Sequence, residues 1–250
     1  MLLKPTLARL QKLGCDYAFY YRAEGQPPAY WATRERFPSA SIIKVPILLA
    51  WVHLERSGQV SRHELCNLDD EPQVQGAGFS WLLAGRSLPY QDVLLLMIAL
   101  SDNLCTNLVL RHIGLERLER VFSEALRLQG TQVQRKLMDY EARARGLDNW
   151  VCARDAIHFY HLIRQLSPEE RAWVESMLLV NQDDALFKRN LPRDTVDFYH
   201  KTGSIPSVLH DWGYTHGAEL FLFTSNVTNE PPVFEVFGRL GHLLLNETAG

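Results

Sequence analysis

The segment "FPSASIIKVPILLAW" (37–51) combines an apolar helical pattern with a serine and a lysine. Ser41 precedes Lys44 by three residues, and most of the residues that follow Ser41 are apolar. Residues three apart share one face of a helix, so the two side chains can touch if a helix begins near residue 41. The preceding "PSAS" is typical of a helix N-terminus. The segment therefore predicts a buried helix that carries a polar pair in its first turn.

Such a pair can perform nucleophilic chemistry. A serine hydroxyl is a weak nucleophile at neutral pH and needs a base. Burial lowers the pKa of a lysine, and a second nearby cation lowers it further, so Lys44 can become that base. The backbone N–H groups at the helix start would point toward an acyl oxygen on Ser41. Alternatively, Lys44 extends along the helix with its ammonium group in water, and the pair alone does not decide between the two.

Composition and charge limit the possible partners. The chain has 250 residues, of which 46% are hydrophobic and 22% charged, as in a globular protein with one large domain or two small ones. The net charge of -3, without a basic stripe, gives no reason to expect a nucleic-acid partner. Charged residues and a proline interrupt the apolar residues of "MLLKPTLARLQKLGCDYAFYY", which predicts an amphipathic helix rather than an export signal or membrane span. We therefore expect a protein without a membrane partner that is cytoplasmic, or periplasmic if an export signal has been removed; the oligomeric state stays open.

Cysteines and histidines form no recognisable metal motif. The four cysteines lie far apart in the sequence: Cys15, Cys66, Cys105 and Cys152. In a protein without an export signal, this spacing favours free buried thiols over disulfides. His158 and His161 lie one helical turn apart, but no nearby cysteine or carboxylate completes a metal site. We expect a polar helix face there, and no metal or cofactor.

The order of the remaining patterns predicts an α+β fold. Aromatic alternation broken by "EGQPP" within residues 16–37 is typical of a β-hairpin. Helical patterns fill residues 41–190, and one of them opens with Ser167 as N-cap, Pro168 next and Glu170 completing a capping box. Three β-rich runs and a closing helical stretch follow: "TVDFYHKTGSI", "VLHDWGYTH", "AELFLFTSN" and "PPVFEVFGRLGHLLLN" (231–246).

The simplest packing joins both ends of the chain into one sheet. We predict a five-stranded antiparallel sheet flanked by the terminal helices, formed by residues 1–40 and 191–250. An all-helical subdomain, residues 41–190, would be inserted into this unit, with the active site between the two parts.

Two further motifs accompany the Ser41–Lys44 pair. Ser101, Asp102 and Asn103 directly follow the apolar segment 91–100, and the sequence "KTGS" (201–204) lies on a β-rich run. The motifs S-x-x-K, S-D-N and K-T-G, in this order, are those of class A β-lactamases and penicillin-binding proteins. The chain resembles this family over nearly its whole length, and the family's fold has the same element order.

The resemblance implies a covalent serine mechanism. Ser41 would attack an amide or lactam carbonyl and form an acyl-enzyme, with Lys44 helping to activate it. Ser101 would carry a proton to the leaving nitrogen. Asn103 would hydrogen-bond a substrate amide or hold Lys44.

The resemblance also implies a site for a substrate carboxylate. Lys201 would supply positive potential there and help to lower the pKa of Lys44, while Thr202 and Ser204 would contact the carboxylate. The backbone N–H groups of Ser41 and Ser204 would form the oxyanion hole. Gly203 would let the strand approach the substrate closely.

The class A enzymes also carry a deacylating glutamate. These enzymes place it in an E-x-x-L-N context, and Glu141 is the best candidate, 38 residues after Asn103. The leucine and asparagine are missing after Glu141, and Asp139 is a competing candidate. The segment could equally be a plain helix in which Glu141 pairs with Arg145.

The leading prediction is therefore a serine hydrolase that cleaves a β-lactam or related amide, a small-molecule substrate. The alternatives are a cytoplasmic amidase, peptidase or esterase on the same fold, and a penicillin-binding protein that holds its acyl group. His210 and Asp211, on the strand after the K-T-G motif, could line the site or simply be polar residues of the strand.

Overall fold

The first helix and hairpin follow the sequence pattern. The structure, a computed structural model, describes residues 3–192 and 195–245. Helix α1 (Leu3–Lys12) buries its leucines on one face. Strands β1 (Asp16–Ala23) and β2 (Ala29–Ala32) pair antiparallel, with Phe19 opposite Trp31. This confirms the predicted hairpin.

The central part of the chain is mainly helical. A 3-10 turn (Ala40–Ile43) leads directly into α2. The strands and helices of this part are β3 (Arg36–Pro38), α2 (Lys44–Arg56), β4 (Leu65–Asn67), β5 (Ser87–Pro89), α3 (Tyr90–Ala99), α4 (Asn103–Ile113), α5 (Leu115–Arg120), α6 (Tyr140–Ala144), β6 (Trp150–Cys152), α7 (Ala153–Arg164) and α8 (Pro168–Leu179). Ser167 and Glu170 form the predicted capping box at the start of α8.

This central part is not all-helical, which corrects the prediction for residues 41–190. β4 pairs with β5, and β6 pairs back with β3, where Phe37 lies opposite Val151. Both of these side chains are fully buried. Each ribbon strand has only three residues, too few for a period-two pattern to be visible in the sequence. The β3–β6 ribbon joins the segment before Ser41 to the segment after residue 149.

The last part of the chain completes the predicted sheet. Strands β7 (Tyr199–Ile205), β8 (Val208–Tyr214) and β9 (Ala218–Ser225) are followed by α9 (Glu230–Leu245). The strand order is β2-β1-β9-β8-β7, and all pairs are antiparallel. The fold is therefore α+β, as predicted. The closing helix matches the prediction up to Leu245; Asn246 lies outside the described residues.

The two faces of the sheet pack into different hydrophobic cores. Successive strand residues point to opposite faces. Phe19 and Leu222 pack with the apolar residues of α1 and α9. Their neighbours Tyr20 and Phe223 join the larger core around α2. Helix α2 is buried on all sides, which explains its nearly uninterrupted apolar sequence. The division into residues 1–40 with 191–250 and residues 41–190 stays a prediction.

Candidate active site

Ser41 lies in the 3-10 turn that enters α2, and Lys44 is the first residue of that helix. The backbone of Ala40, just before Ser41, has a φ of 45°. This left-handed conformation is costly for a residue with a Cβ, and such strain is concentrated at functional sites. Lys44 is 0% exposed, so its side chain does not reach water. The alternative of a solvent-exposed ammonium group is excluded by this burial.

The amine of Lys44 is surrounded by four oxygen atoms. Nζ lies 3.0 Å from Ser41 Oγ and 3.1 Å from Ser101 Oγ. It also donates to Ser101 O at 2.6 Å and to Asn103 Oδ1 at 3.2 Å. The last two oxygens can only accept. A neutral amine has two N–H groups and one lone pair, so these two acceptors leave the lone pair for a hydroxyl. The geometry suits a lysine that receives a proton from serine.

The electrostatic surroundings favour the neutral form of Lys44. Burial lowers the pKa of Lys44 well below its usual value, and the positive charge of Lys201 lowers it further. Asp102 and Cys105 act in the opposite direction with smaller effects. A lysine in this environment can act as a base at neutral pH.

The S-D-N motif lies in the turn between α3 and α4. Ser101 has a φ of 57°, and Asp102 caps α4 by accepting a hydrogen bond from Cys105 N at 2.9 Å. The same carboxylate accepts from Ser80 N at 2.8 Å and Ser80 Oγ at 2.7 Å. Asp102 is thus held on the far side of the turn, which orients Ser101 and Asn103 toward Lys44. The position of Asp102 directly before a helix is a sequence signal for this capping role.

The amide of Asn103 has a fixed orientation. Its Nδ2 donates to the backbone oxygen of Gln75 at 3.1 Å, which turns Oδ1 toward Lys44. Gln75 belongs to the segment between β4 and β5 that closes over the site. Asn103 therefore links Lys44 to this covering segment.

The K-T-G motif lies on β7, the edge strand of the sheet. Lys201 is fully buried, and burial lowers its pKa to about 8, although Asp183 and Asp211 act to raise it. A lysine with this pKa carries its positive charge at neutral pH. A Cβ added to Gly203 would lie 2.9 Å from Ser41 N and 3.1 Å from Ile42 N. Only glycine therefore lets this strand come so close to the backbone of Ser41.

Two cavities meet at Ser41. The strand-side cavity, about 440 Å³, is lined by Ser101, Asp183 and the K-T-G residues Lys201, Thr202, Gly203 and Ser204, among others. The loop-side cavity, about 310 Å³, extends to the segment between α5 and β6. Ser41 and Ser204 line both cavities, together with Gly76 and Ala77. A substrate whose carbonyl lies at Ser41 would thus extend one half into each cavity.

The structure does not bring Glu141 to Ser41, so the predicted deacylating role is not supported by its position. Glu141 is exposed on α6 and lines neither cavity. Asp139, the competing candidate, caps α6 by accepting from Ala142 N at 2.9 Å. This cap starts a short helix that directs Glu141 to solvent. The bond between Arg145 N and Glu141 O, at 3.2 Å, is a backbone contact of that helix.

Leu137, just before α6, lines the loop-side cavity. Its N–H donates to Asn107 Oδ1 at 2.7 Å, and its carbonyl accepts from Asn107 Nδ2 at 3.1 Å. Asn107 lies one turn after Asn103 on α4. The i, i+4 spacing of two asparagines on an apolar helix is a sequence signal for this contact, and none of the three motifs includes it.

His210 and Asp211 are buried and line neither cavity. The His210 ring contacts Pro38 O at 2.9 Å, and burial lowers the pKa of His210 to about 4. Asp211 lies 3.2 Å from His200 Nδ1 and accepts from Phe187 N at 3.1 Å. Both residues hold strands and the neighbouring loop together.

Across residues 3–192 and 195–245, no group of three or more His, Cys, Asp or Glu side chains could hold a metal ion. All four cysteines are free thiols. His158 lies 3.1 Å from Leu126 O, and its ring stacks on His161. Within the same ranges, every helix is too short or too polar to cross a membrane.

Comparisons with known proteins agree with this fold. Residues 5–248 match the family model described as the beta-lactamase enzyme family. No curated protein matches the sequence. A β-lactamase structure from Sphaerobacter thermophilus has 23% identity and a TM-score of 0.84, covering 96% of this chain and 93% of that chain. One from Chitinophaga pinensis has 16% identity and a TM-score of 0.85, covering 98% of both chains.

PBP-A is also similar. A single-residue variant of it, described as an acyl-enzyme complex with penicillin G, has 22% identity and a TM-score of 0.82. The match covers 98% of this chain and 97% of that one. These structural likenesses establish the shared fold, and the family model spans nearly all of the sequence. The chain belongs to the beta-lactamase enzyme family and is a serine hydrolase of the β-lactamase type.

Proposed function

We propose that the protein cleaves a lactam, amide or ester through an acyl-enzyme on Ser41. The observation that carries this proposal is the contact of Ser41 Oγ with the buried amine of Lys44, at 3.0 Å. Neutral Lys44 takes the hydroxyl proton while Oγ attacks the carbonyl carbon, forming a tetrahedral intermediate. Two N–H bonds of Lys44 stay engaged with Ser101 O and Asn103 Oδ1, which fixes the lone pair.

Ser101 completes the proton path. Its Oγ lies 3.1 Å from Lys44 Nζ and lines the strand-side cavity. When the intermediate collapses, the proton passes from Lys44 through the Ser101 hydroxyl to the leaving nitrogen or oxygen. The acyl group remains on Ser41. The leaving half of an acyclic amide or ester departs with that proton, whereas the nitrogen of an opened lactam stays tethered to the acyl group.

The K-T-G strand supplies the remaining groups. The backbone N–H groups of Ser41 and Ser204 form the oxyanion hole, and the close approach of Gly203 to Ser41 N supports this assignment. Lys201, Thr202 and Ser204 bind a carboxylate on the leaving half, because the charge of Lys201 is buried at the strand-side cavity. The acyl half then occupies the loop-side cavity.

Hydrolysis of the acyl-enzyme is expected to be slow for lactams. Asp148 is the one carboxylate that lines the loop-side cavity among the residues described, and it is paired with Arg135. Leu137 occupies the cavity wall instead. A water molecule on that side therefore lacks a free carboxylate base. This favours the second candidate function, a protein that accepts a penicillin acyl group and releases it slowly.

An intact-mass time course with a penicillin tests the proposal, with Ser41→Ala as control. An adduct of the penicillin's mass, confined to the protein that retains Ser41, would support the acyl-enzyme. Persistence of this adduct favours the slow-release function, and rapid consumption of the penicillin without accumulation favours lactam turnover. If a penicillin, small esters and small amides all give no adduct and are not consumed, the assignment of Ser41 is refuted.

A further inference from the structure

Three charged side chains line the loop-side cavity among the described residues: Arg135, Arg143 and Asp148. Two guanidinium groups thus share one carboxylate. The wall near Ser41 is apolar, with Leu137 and Met138 on one side and Ile205 and Pro206 on the other. The cavity therefore combines an apolar wall with a net positive charge.

Arg135 binds one oxygen of Asp148. Its Nε and one terminal nitrogen donate to Asp148 Oδ1 at 2.9 and 2.6 Å. Arg135 and Asp148 are both largely buried. This pair satisfies its own charges and holds the loop segment between α5 and β6.

Arg143 is the excess cation. Its Nε lies 3.4 Å from Asp148 Oδ2, and its side chain is 45% exposed. Among the described residues, this is its one ion pair, and no hydrogen bond joins the two groups. The guanidinium of Arg143 thus retains N–H donors in a planar arrangement that matches a second carboxylate.

From this arrangement we infer that the loop-side cavity selects acyl groups that end in a carboxylate, which Arg143 binds. The inference rests on the proposed function, because it places the acyl half of the substrate on this side of Ser41. The substrate would then carry an anion at each end: one on the leaving half, at Lys201, and one on the acyl half. The chain of the acyl group between them contacts the apolar wall.

Arg145 provides a matched control. It follows α6, is exposed, and does not line the loop-side cavity. Arg143→Gln and Arg145→Gln remove the same charge from neighbouring positions. Arg143→Lys retains a cation at the cavity but loses the planar donors. Urea unfolding of each variant shows whether the exchange disturbs the fold.

Binding to Ser41→Ala, measured by calorimetry, tests the inference without requiring chemistry. The probes are N-acylglycines in which a linear acyl chain ends either in a carboxylate or in a methyl group of equal length. We expect the carboxylate-ended ligand of the best-fitting length to bind about tenfold more tightly, a modest gain because Arg143 is partly exposed.

This preference should disappear in Arg143→Gln, persist in Arg145→Gln and be partly retained in Arg143→Lys. Equal affinity for the two ligands at every length, including no measurable binding of either, would overturn the inference. So would a preference that survives Arg143→Gln. Acylation of Ser41 by a penicillin is measured separately on the unmodified chain, so a failure of the proposed function and a failure of this inference are distinguishable.

Discussion

The side chain of Asn107 holds the backbone of Leu137 at both of its polar groups, accepting from its N–H at 2.7 Å and donating to its carbonyl at 3.1 Å. This contact joins α4, which carries Asn103, to the wall of the loop-side cavity. The position of that wall relative to Ser41 therefore depends on one buried amide.

Asn107→Ala should detach this wall. Loss of the side chain leaves two backbone groups without partners, so we expect the free energy of unfolding to fall by about 2 kcal/mol. Acylation of Ser41 should slow as well. Asn67→Ala, which removes a cap bond to Asp69 N at a residue that lines neither cavity, is the control for stability loss alone. Equal acylation rates in the two variants would show that the Asn107 contact does not serve the site.

Leu137→Glu should shorten the lifetime of the acyl-enzyme. Position 137 is fixed by Asn107 and faces the loop-side cavity, so a carboxylate placed there can activate a water molecule. General-base assistance is worth about 10²-fold or more when the geometry is suitable. Leu137→Gln has nearly the same shape without the base. Release rates from intact-mass decay should differ between the two variants; identical rates would mean that the absence of a carboxylate does not limit release.

Gly203→Ala should strongly slow acylation. The new Cβ would lie 2.9 Å from Ser41 N, so the strand or the turn must move and the oxyanion hole is distorted. Loss of one oxyanion donor costs about 10²- to 10³-fold in rate. In Gly85→Ala the added Cβ meets nothing within 4 Å, so acylation should be unchanged. A near-normal acylation rate in Gly203→Ala would contradict this assignment of the strand.

The acylation rate should depend on pH through two lysines. Lys44 acts as a base only when neutral, so the rate should rise as pH passes its lowered pKa. Lys201 binds a carboxylate only when charged, so the rate should fall as pH rises past about 8. An ester without a carboxylate should show the rise but not the fall. A fall of equal size for this ester and for a matching ester that carries a carboxylate would exclude this role of Lys201.

The longer helices and strands, and the site residues named by the motifs, could be predicted from the sequence because their signals are local. Helix α4 (Asn103–Ile113) lies within the segment predicted to be helical, and Asp102 caps its start while Gly114, with a φ of 82°, ends it. The five-stranded antiparallel sheet was predicted from the same kind of pattern. The separate motifs also identified the residues that the structure places around Lys44.

The failures concern non-local contacts. Glu141 was selected by its distance along the sequence, which does not reveal the outward direction set by the Asp139 cap. The ion pair of Lys136 with the buried Glu71 joins two segments that border the site, and the partners are 65 residues apart. Such pairs are decided by how the segments pack, so the residue pattern of one segment alone cannot predict them.

The most direct measurement of the central claim is the titration of Lys44 itself. The side-chain resonance of Lys44 in protein with isotope-labelled lysine can be followed against pH and assigned by its absence in Lys44→Met. We predict that Lys44 titrates well below 10.5, its ordinary pKa, because it is buried beside Lys201. A Lys201→Met variant should raise the pKa of Lys44. Titration of Lys44 at its ordinary pKa would contradict the account, because the amine would then be charged and unable to take the proton of Ser41.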